Sequence, residues 1–345
     1  MDVHCAFLNG TPKEVLHILR PSGYTEHPET DMFVLNKSLC GLKQSPHCWH
    51  KVLKRTLITI GLSLCNTDPC LYYSQNRKQP LWMFVHIDDL IFRGACNSIF
   101  KEKIQSFFEM EDLGKIKYAL GIRITQLEES ITLIQDIFIK QILVEFRIEQ
   151  PKDPQSPLPS NYKELKTLTL EPPKQPPFNF QRAVGLLQYL VQCTRPNLSF
   201  TTSFLSQFLE SPCGPHYQAV IHTLKYVSGT KFFSLKLSQN HTNCVKTKIV
   251  GYTDSDWGGG TEKKSFSGSL IYFYGALGWR AHKQKLVALS SAEAEYNAMT
   301  EFTQDLAWMK EVIQEAIGVT CMCTLHSDNQ SAISIVSNPI YHHGT

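Results

Sequence analysis

Leu81-Trp-Met-Phe-Val-His-Ile-Asp-Asp-Leu-Ile-Phe92 decides the reading of this chain, because it sets Asp88 and Asp89 side by side inside an apolar, strand-like run. Unpaired charge in such a setting costs folding energy unless something binds it. The apolar stretches on either side are too short for membrane spans and predict two strands of a hairpin. A hairpin puts both aspartates at its tip, where a divalent cation can hold them together. Metal-dependent phosphate chemistry is therefore the expectation to test on the rest of the sequence.

The 345 residues allow two or three domains, each with its own core. A hydrophobic content of 42% and a charged content of 19% are those of an ordinary globular protein and exclude the disordered and fibrous classes. The net charge of +3 permits a nucleic-acid partner without arguing for one, since a local basic face matters more than the total. No charged-then-apolar leader follows Met1, and no long apolar run is present, so neither secretion nor membrane insertion is expected. The eleven cysteines, odd in number and without a repeated spacing, predict reduced, buried thiols. Cys321-Met-Cys323 with His326 hints at zinc, but two further ligands stand at no recognisable spacing, and core or strand cysteines are the preferred reading.

Eight of the 18 prolines fall between Pro151 and Pro177, which predicts an extended connector over 151–180. Ahead of it, Ser45-Pro46 followed by Trp49, Val52, Leu53 and Leu57 predicts a helix with proline in its first turn. Beyond it, helices are expected over 181–193, 200–209 and 216–228, the last stopped by Gly229. From Lys246 the pattern changes to strands over 248–254 and 269–274, a long helix over about 292–316 and a short strand over 323–325. That mixture predicts a small α/β domain.

This last region holds a second set of carboxylates. Asp254 and Asp256 lie two apart in a strand and project from one face. Glu293 and Glu295 open the long helix, and Asp328 stands between the 323–325 strand and Asn329-Gln-Ser-Ala-Ile333, a predicted helix start. Such folds bring strand ends and helix starts to one edge of the sheet. Three acids meeting there suit Mg²⁺, and two such ions about 3.5–4 Å apart can clamp the attacking and leaving oxygens of a phosphodiester. Each acid also has a plainer reading. Asp328 can cap the next helix. Ser290-Ser-Ala-Glu293 fits a capping box, which leaves Glu295 for the metal. Asp256, beside Trp257, can be a solvated turn residue.

In order and wording these segments resemble the polymerase region of Ty1/copia-type retrotransposons, a reverse transcriptase followed by ribonuclease H. Met1-Asp-Val-His-Cys-Ala-Phe-Leu-Asn-Gly10 is similar to that family's first catalytic motif, and Lys37-Ser-Leu-Cys-Gly-Leu-Lys-Gln-Ser-Pro46 with Trp49 to its template- and nucleotide-contacting segment. Phe84-Val-His-Ile-Asp-Asp89 is similar to its paired-aspartate motif, and Asp112-Leu-Gly114 with Leu120-Gly-Ile122 to the segment that the family carries after that motif. Cys193-Thr-Arg-Pro196 and Tyr226 through Gly229-Thr230 resemble its connecting region. Gly251-Tyr-Thr-Asp-Ser-Asp-Trp257, Ala288-Leu-Ser-Ser-Ala-Glu-Ala-Glu-Tyr296 and Ser327-Asp-Asn-Gln-Ser-Ala-Ile333 resemble its ribonuclease H blocks.

The resemblance implies a mixed α/β and α+β fold. It comprises a truncated polymerase palm of βαββ type over 1–150 with its fingers missing, the connector, a helical thumb or connection region over 181–240, and a ribonuclease H-like mixed-sheet domain over 246–345 lacking the family's fourth acid. It implies Asp2, Asp88 and Asp89 as polymerase metal ligands, Phe7 against the ribose 2′ position, and Gln44 near the incoming nucleotide or template base. Asp254, Glu295 and Asp328 would be the ribonuclease H ligands. The implied cofactor is Mg²⁺ or Mn²⁺. The implied partners are an RNA template, a DNA primer, deoxynucleoside triphosphates, an RNA–DNA hybrid and the remaining Pol polyprotein segments, with no membrane. The implied setting is the cytoplasm, in a virus-like particle, or the nucleus. Cys40, His47, His86 and Asn197 depart from the family's usual tyrosine, arginine, aromatic and aspartate, and none of them removes a ligand. The alternative readings are an inactive or host-retained remnant that at most binds nucleic acid, and an unrelated binding protein.

Overall fold

A computed structural model describes residues 1–24, 29, 31–76, 78, 80–94, 97–148, 154–168, 171–238, 248–258 and 263–338. The chain divides into two compact units, Met1–Ile116 with Glu311–Val319, and Lys117–Lys310 with Thr320–Thr345. Among the described residues no helix is long and apolar enough to cross a membrane.

The first unit begins with strand β1 (Asp2–Val3) and a small hairpin of β2 (His17–Leu19) and β3 (Met32–Val34). Helix α1 (Ser45–Thr59) carries Pro46 in its first turn, and its four-residue spacing of Trp49, Leu53 and Leu57 puts one stripe in the core, at 2%, 0% and 0% exposure. Strands β4 (Leu62–Leu64), β5 (Leu71–Ser74), β6 (Leu81–His86) and β7 (Asp89–Gly94), helix α2 (Asn97–Gln105) and β8 (Met110–Glu111) come next. They form an antiparallel sheet in the order β4-β5-β6-β7-β1-β8. Along β6 burial alternates, with Leu81, Met83 and Val85 inside and Phe84 and His86 exposed. The apolar run is thus one face of a sheet whose inner side meets α1 and the Phe100 and Ile104 side of α2. The second strand of the hairpin starts at Asp89, so the tip consists of Ile87 and Asp88 alone. Residues 311–319 join this unit through Glu315, which accepts hydrogen bonds from the β4–β5 loop, and through Trp82, whose indole donates to the Ala316 carbonyl at 2.6 Å.

The second unit holds two sheets. One is antiparallel, in the order β12 (Leu235–Ser238), β11 (Ser130–Ile134), β10 (Ile122–Gln126), β9 (Tyr118–Ala119). Helices α3 (Asp136–Glu145), α4 (Phe180–Cys193), α5 (Ser199–Ser206) and α6 (Gly214–Gly229) share a large apolar core that includes Leu187, Leu190, Phe204 and Leu224. The other sheet is mixed, in the order β15 (Ala276–Lys283), β14 (Phe266–Tyr272), β13 (Lys248–Asp256), β16 (Met322–His326), with β13 and β16 parallel. Helix α7 (Ser291–Ile317) packs so closely on β13 that a Cβ at Gly251 would stand 2.7 Å from both Phe302 and Leu306. Helix α8 (Gln330–Ser337) ends the described chain.

Two features of the structure bear on how the chain divides. The break between compact units falls after Ile116, well ahead of the proline-rich segment, because β11 pairs with β12 and commits 117–148 to the second unit. The described part of 151–180 also contributes apolar side chains to the core. Leu158 and Leu165, the latter in a short 3₁₀ turn over Tyr162–Thr167, are each 6% exposed within the helical core. Proline prevents ladders there without preventing apolar side chains from being buried.

Candidate carboxylate sites

The parallel pairing of β13 and β16 runs in register to Tyr252 and His326, so Asp254 and Asp328 each lie two residues beyond the same pair. Helix α7 starts beside them. Ser290 Oγ accepts the Glu293 amide at 3.1 Å, and Glu293 reaches back to accept the Leu289 amide at 2.7 Å, one residue earlier than the expected cap. With Glu293 so occupied, Glu295 turns inward. The carboxylate oxygens of Asp254, Glu295 and Asp328 approach to within 4.8 Å of one another, the one such set of three metal-ligating side chains among the described residues.

Asp254 and Asp328 are exposed, whereas Glu295 is only 4% exposed. One Glu295 oxygen accepts the Ser255 amide at 2.9 Å, and the other is buried without a hydrogen-bond partner. Burial raises the Glu295 carboxyl above its ordinary range; Ser255 pulls it down, and the negative charges of Asp254 and Asp328 push it up. Two aspartates crowded around a buried, half-satisfied carboxylate are costly alone, and the three acids together are well suited to a hard cation.

The plainer alternatives resolve residue by residue. Helix α8 is capped by Asn329, whose side chain accepts the Ala332 amide at 2.9 Å, and Asp328 is released from that duty. Asp256 accepts the Phe266 amide at 2.6 Å and so ties β13 to β14. Cys321, Cys323 and His326 do not assemble as ligands among the described residues; His326 instead stacks on Tyr252 with ring centroids 5.4 Å apart. Sequence reasoning missed Gln284. Its buried side chain donates to Ser267 Oγ at 2.9 Å and to the Ala294 carbonyl at 2.8 Å, which fixes the start of α7 against the sheet. Nothing in Lys283-Gln-Lys285 signals a buried residue. The Asn329 cap was legible, since asparagine caps as well as aspartate does.

In the first unit β1 pairs with β7 so that Asp2 stands opposite Asp89. The Val3 amide donates to the Asp88 carbonyl at 3.0 Å, and the Leu90 amide to the Met1 carbonyl at 2.8 Å. The three backbones therefore lie side by side, with Asp88 exposed and Asp2 and Asp89 half-buried. Their carboxylate oxygens do not close to the spacing seen at Glu295. Phe7 lies in a 3₁₀ turn over Ala6–Asn9, partly buried against the core, with its carbonyl accepting the Ser38 hydroxyl. Gln44 precedes α1, which packs on that turn, and donates to Glu14 at 3.1 Å.

Comparison with known proteins adds a second line of observation. Residues 1–159 match the family described as reverse transcriptase (RNA-dependent DNA polymerase). The chain is 31% identical over 355 residues to the retrovirus-related Pol polyprotein from transposon TNT 1-94 of Nicotiana tabacum, covering 99% of this chain and 26% of that protein. It is 29% identical over 351 residues to the corresponding polyprotein from transposon RE2 of Arabidopsis thaliana, covering 99% of this chain and 24% of that one. A transposon Ty5-1 protein of Saccharomyces cerevisiae is 29% identical over 314 residues, covering 89% of this chain and 100% of that protein. The chain thus spans about a quarter of the length of the two plant polyproteins. With a reverse-transcriptase match at its start and Pol polyproteins aligned along 99% of its length, the chain belongs to the Pol polyprotein family of Ty1/copia-type retrotransposons.

Proposed function

We propose that the chain combines RNA-directed DNA synthesis, at Asp2, Asp88 and Asp89, with cleavage of the RNA strand of an RNA–DNA hybrid at Asp254, Glu295 and Asp328. The observation that carries the second activity is the convergence of those three carboxylates within 4.8 Å. Their oxygen donors and the unpartnered buried oxygen of Glu295 fit Mg²⁺ or Mn²⁺. Asp254, Glu295 and Asp328 would hold a divalent cation, which when bound would supply charge neutralisation at the scissile phosphate and acidify an attacking water. Glu295 is oriented for this by the Ser255 amide and by the capped start of α7, while exposed Asp254 and Asp328 face the substrate side. Recognition of the hybrid rests on its shape and 2′-hydroxyls, not on base sequence.

For synthesis, the reading rests on family membership and on the pairing of Asp2 with Asp89 beside the Asp88 tip. Phe7 would stand against the ribose 2′ position and Gln44 near the incoming nucleotide or template base. Template, primer, deoxynucleoside triphosphates and hybrid are the proposed partners.

The purified chain, given an end-labelled RNA–DNA hybrid and Mg²⁺, is expected to cut the RNA strand and to spare the DNA strand. Asp254→Asn and Asp328→Asn are each expected to lower the rate by about a hundredfold or more. Cleavage that survives chelation of divalent ions, or that both variants retain in full, would overturn the assignment.

A further inference from the structure

The hairpin that carries Asp88 and Asp89 turns through a backbone conformation that its own side chain resists. His86 pairs with Asp89, so Ile87 and Asp88 form a two-residue tip. Ile87 has a φ of 55°, while Asp88 is not among the residues of positive φ. Two-residue hairpins with only the first tip residue at positive φ favour glycine there, and a β-branched residue is strongly disfavoured. Burial does not compensate, because Ile87 is 46% exposed. A conformation of this kind persists only where its surroundings over-determine it, and such outliers gather at functional sites.

What surrounds the tip is specific. Trp49, 2% exposed on α1, donates its indole N–H to the Ile87 carbonyl at 2.6 Å. Its ring packs edge-on against Phe108, with centroids 5.0 Å apart, so the donor has little freedom to swing. On the far side, the Val3 amide donates to the Asp88 carbonyl at 3.0 Å. The carbonyl before Asp88 and the carbonyl of Asp88 itself are thus held by different elements. The two peptide planes that flank the Asp88 Cα are both pinned, and that sets the direction of its Cα–Cβ bond.

We propose that Trp49 is a positioning residue. Its indole N–H, rather than its bulk, holds the Ile87–Asp88 peptide and so fixes the Asp88 Cα–Cβ bond beside Asp2 and Asp89, whose carboxylates are not gathered as at Glu295 and would close on a divalent cation by side-chain rotation alone. This rests on the polymerase-site reading above. It separates the hydrogen bond from the ordinary core-filling role that any buried tryptophan has.

The test uses the full chain carrying Asp254→Asn, Glu295→Gln and Asp328→Asn, so that the other carboxylate set is silent. Mn²⁺ binding is followed by electron paramagnetic resonance and folding by circular dichroism. Asp88→Asn should abolish the remaining tight Mn²⁺ binding; if it changes nothing, the polymerase-site reading fails and this proposal falls with it. Trp49→Phe keeps an aromatic ring and removes the donor, and should weaken Mn²⁺ binding about tenfold or more in a folded chain. Adding Ile87→Gly, which lets the turn form without the indole, should restore most of the lost affinity. Replacing Trp49 by benzothienylalanine, of the same bicyclic shape but without the N–H, should repeat the loss even if the phenylalanine variant does not fold. Parent-level affinity in the benzothienyl form, or a loss that Ile87→Gly does not recover, overturns the role of Trp49 while leaving the Asp88 assignment standing.

Discussion

Glu295 holds a negative charge where the fold disfavours one, with burial and two neighbouring aspartates acting together. A carboxyl whose folded value is raised binds more protons folded than unfolded just above its ordinary value of 4.5. Metal-free stability therefore falls as pH rises through that window toward the raised value. Glu295→Gln should remove this slope and raise the metal-free melting point, a gain of about 1 kcal/mol. It should also abolish stabilisation by Mg²⁺. Calorimetry across pH 4 to 7, with and without Mg²⁺, checks both outcomes; a variant that melts below the parent without metal would contradict them. A different residue, Asn197, accepts from the buried guanidinium of Arg195 at 3.1 Å. The other hydrogen-bond partners of Arg195 are the carbonyl and hydroxyl of Thr230, and its guanidinium lies over the Phe233 ring, so all its partners are uncharged. Asn197→Asp should turn a neutral hydrogen bond into a charge-assisted one and stabilise the helical region by about 1 kcal/mol. Urea unfolding of the two forms measures this directly.

At the scale of elements, α7 owes its length to two different kinds of support. Its start is fixed by the Ser290–Glu293 cap and by Gln284, and its middle by contact with Gly251 of β13. Its last turns belong to the first compact unit, where Glu315 accepts the Asn66 amide at 2.8 Å, the Asn66 side chain at 2.9 Å and the Thr67 hydroxyl at 3.1 Å. Burial pushes the Glu315 carboxyl upward, but the donors of Asn66, Cys65 and Thr67 outweigh it and hold the group below its usual value. A lowered folded value means that the stabilising contribution is complete above the ordinary value of 4.5 and is lost as pH falls through the folded value. Glu315→Ala should cost about 2 kcal/mol at neutral pH by stranding those donors. The difference from the parent should shrink in acid, and a difference that stays constant down to pH 3 would show that the carboxylate charge is not the cause.

For the whole molecule, ligand linkage gives the simplest global readout. A cation that binds the folded carboxylate set and not the unfolded chain stabilises by about 1.4 kcal/mol at a concentration ten times its dissociation constant. Mg²⁺ should therefore raise the melting point of the chain, and the shift that depends on Asp254, Glu295 and Asp328 should vanish when the three are replaced by amides. Equal shifts in the parent and the triple variant would assign the effect to general ionic strength. The division into two compact units also bears on how such melts are read, since two cores need not unfold in one step.

Local sequence sufficed where one residue's neighbours decide its state. The α1 stripe, the strands of the β6–β7 hairpin and the capped start of α7 are local, because periodicity and caps act over a few residues. The motif order likewise marked the acids that lie together in the second unit. Tertiary structure decided what occupied Asp256 and brought Glu295 and Asp328 beside Asp254, whereas the Glu293 cap was legible in Ser290-Ser-Ala-Glu293. Glu293 and Asn329 took the capping duties, Asp256 took a strand amide, and Glu295 and Asp328 were left over. It also decided that 117–148 belongs with the second unit, through the β11–β12 ladder, and that Trp49 reaches the Ile87 carbonyl. Those outcomes depend on hydrogen bonds between residues up to about a hundred positions apart, and no local pattern encodes which distant donor arrives first.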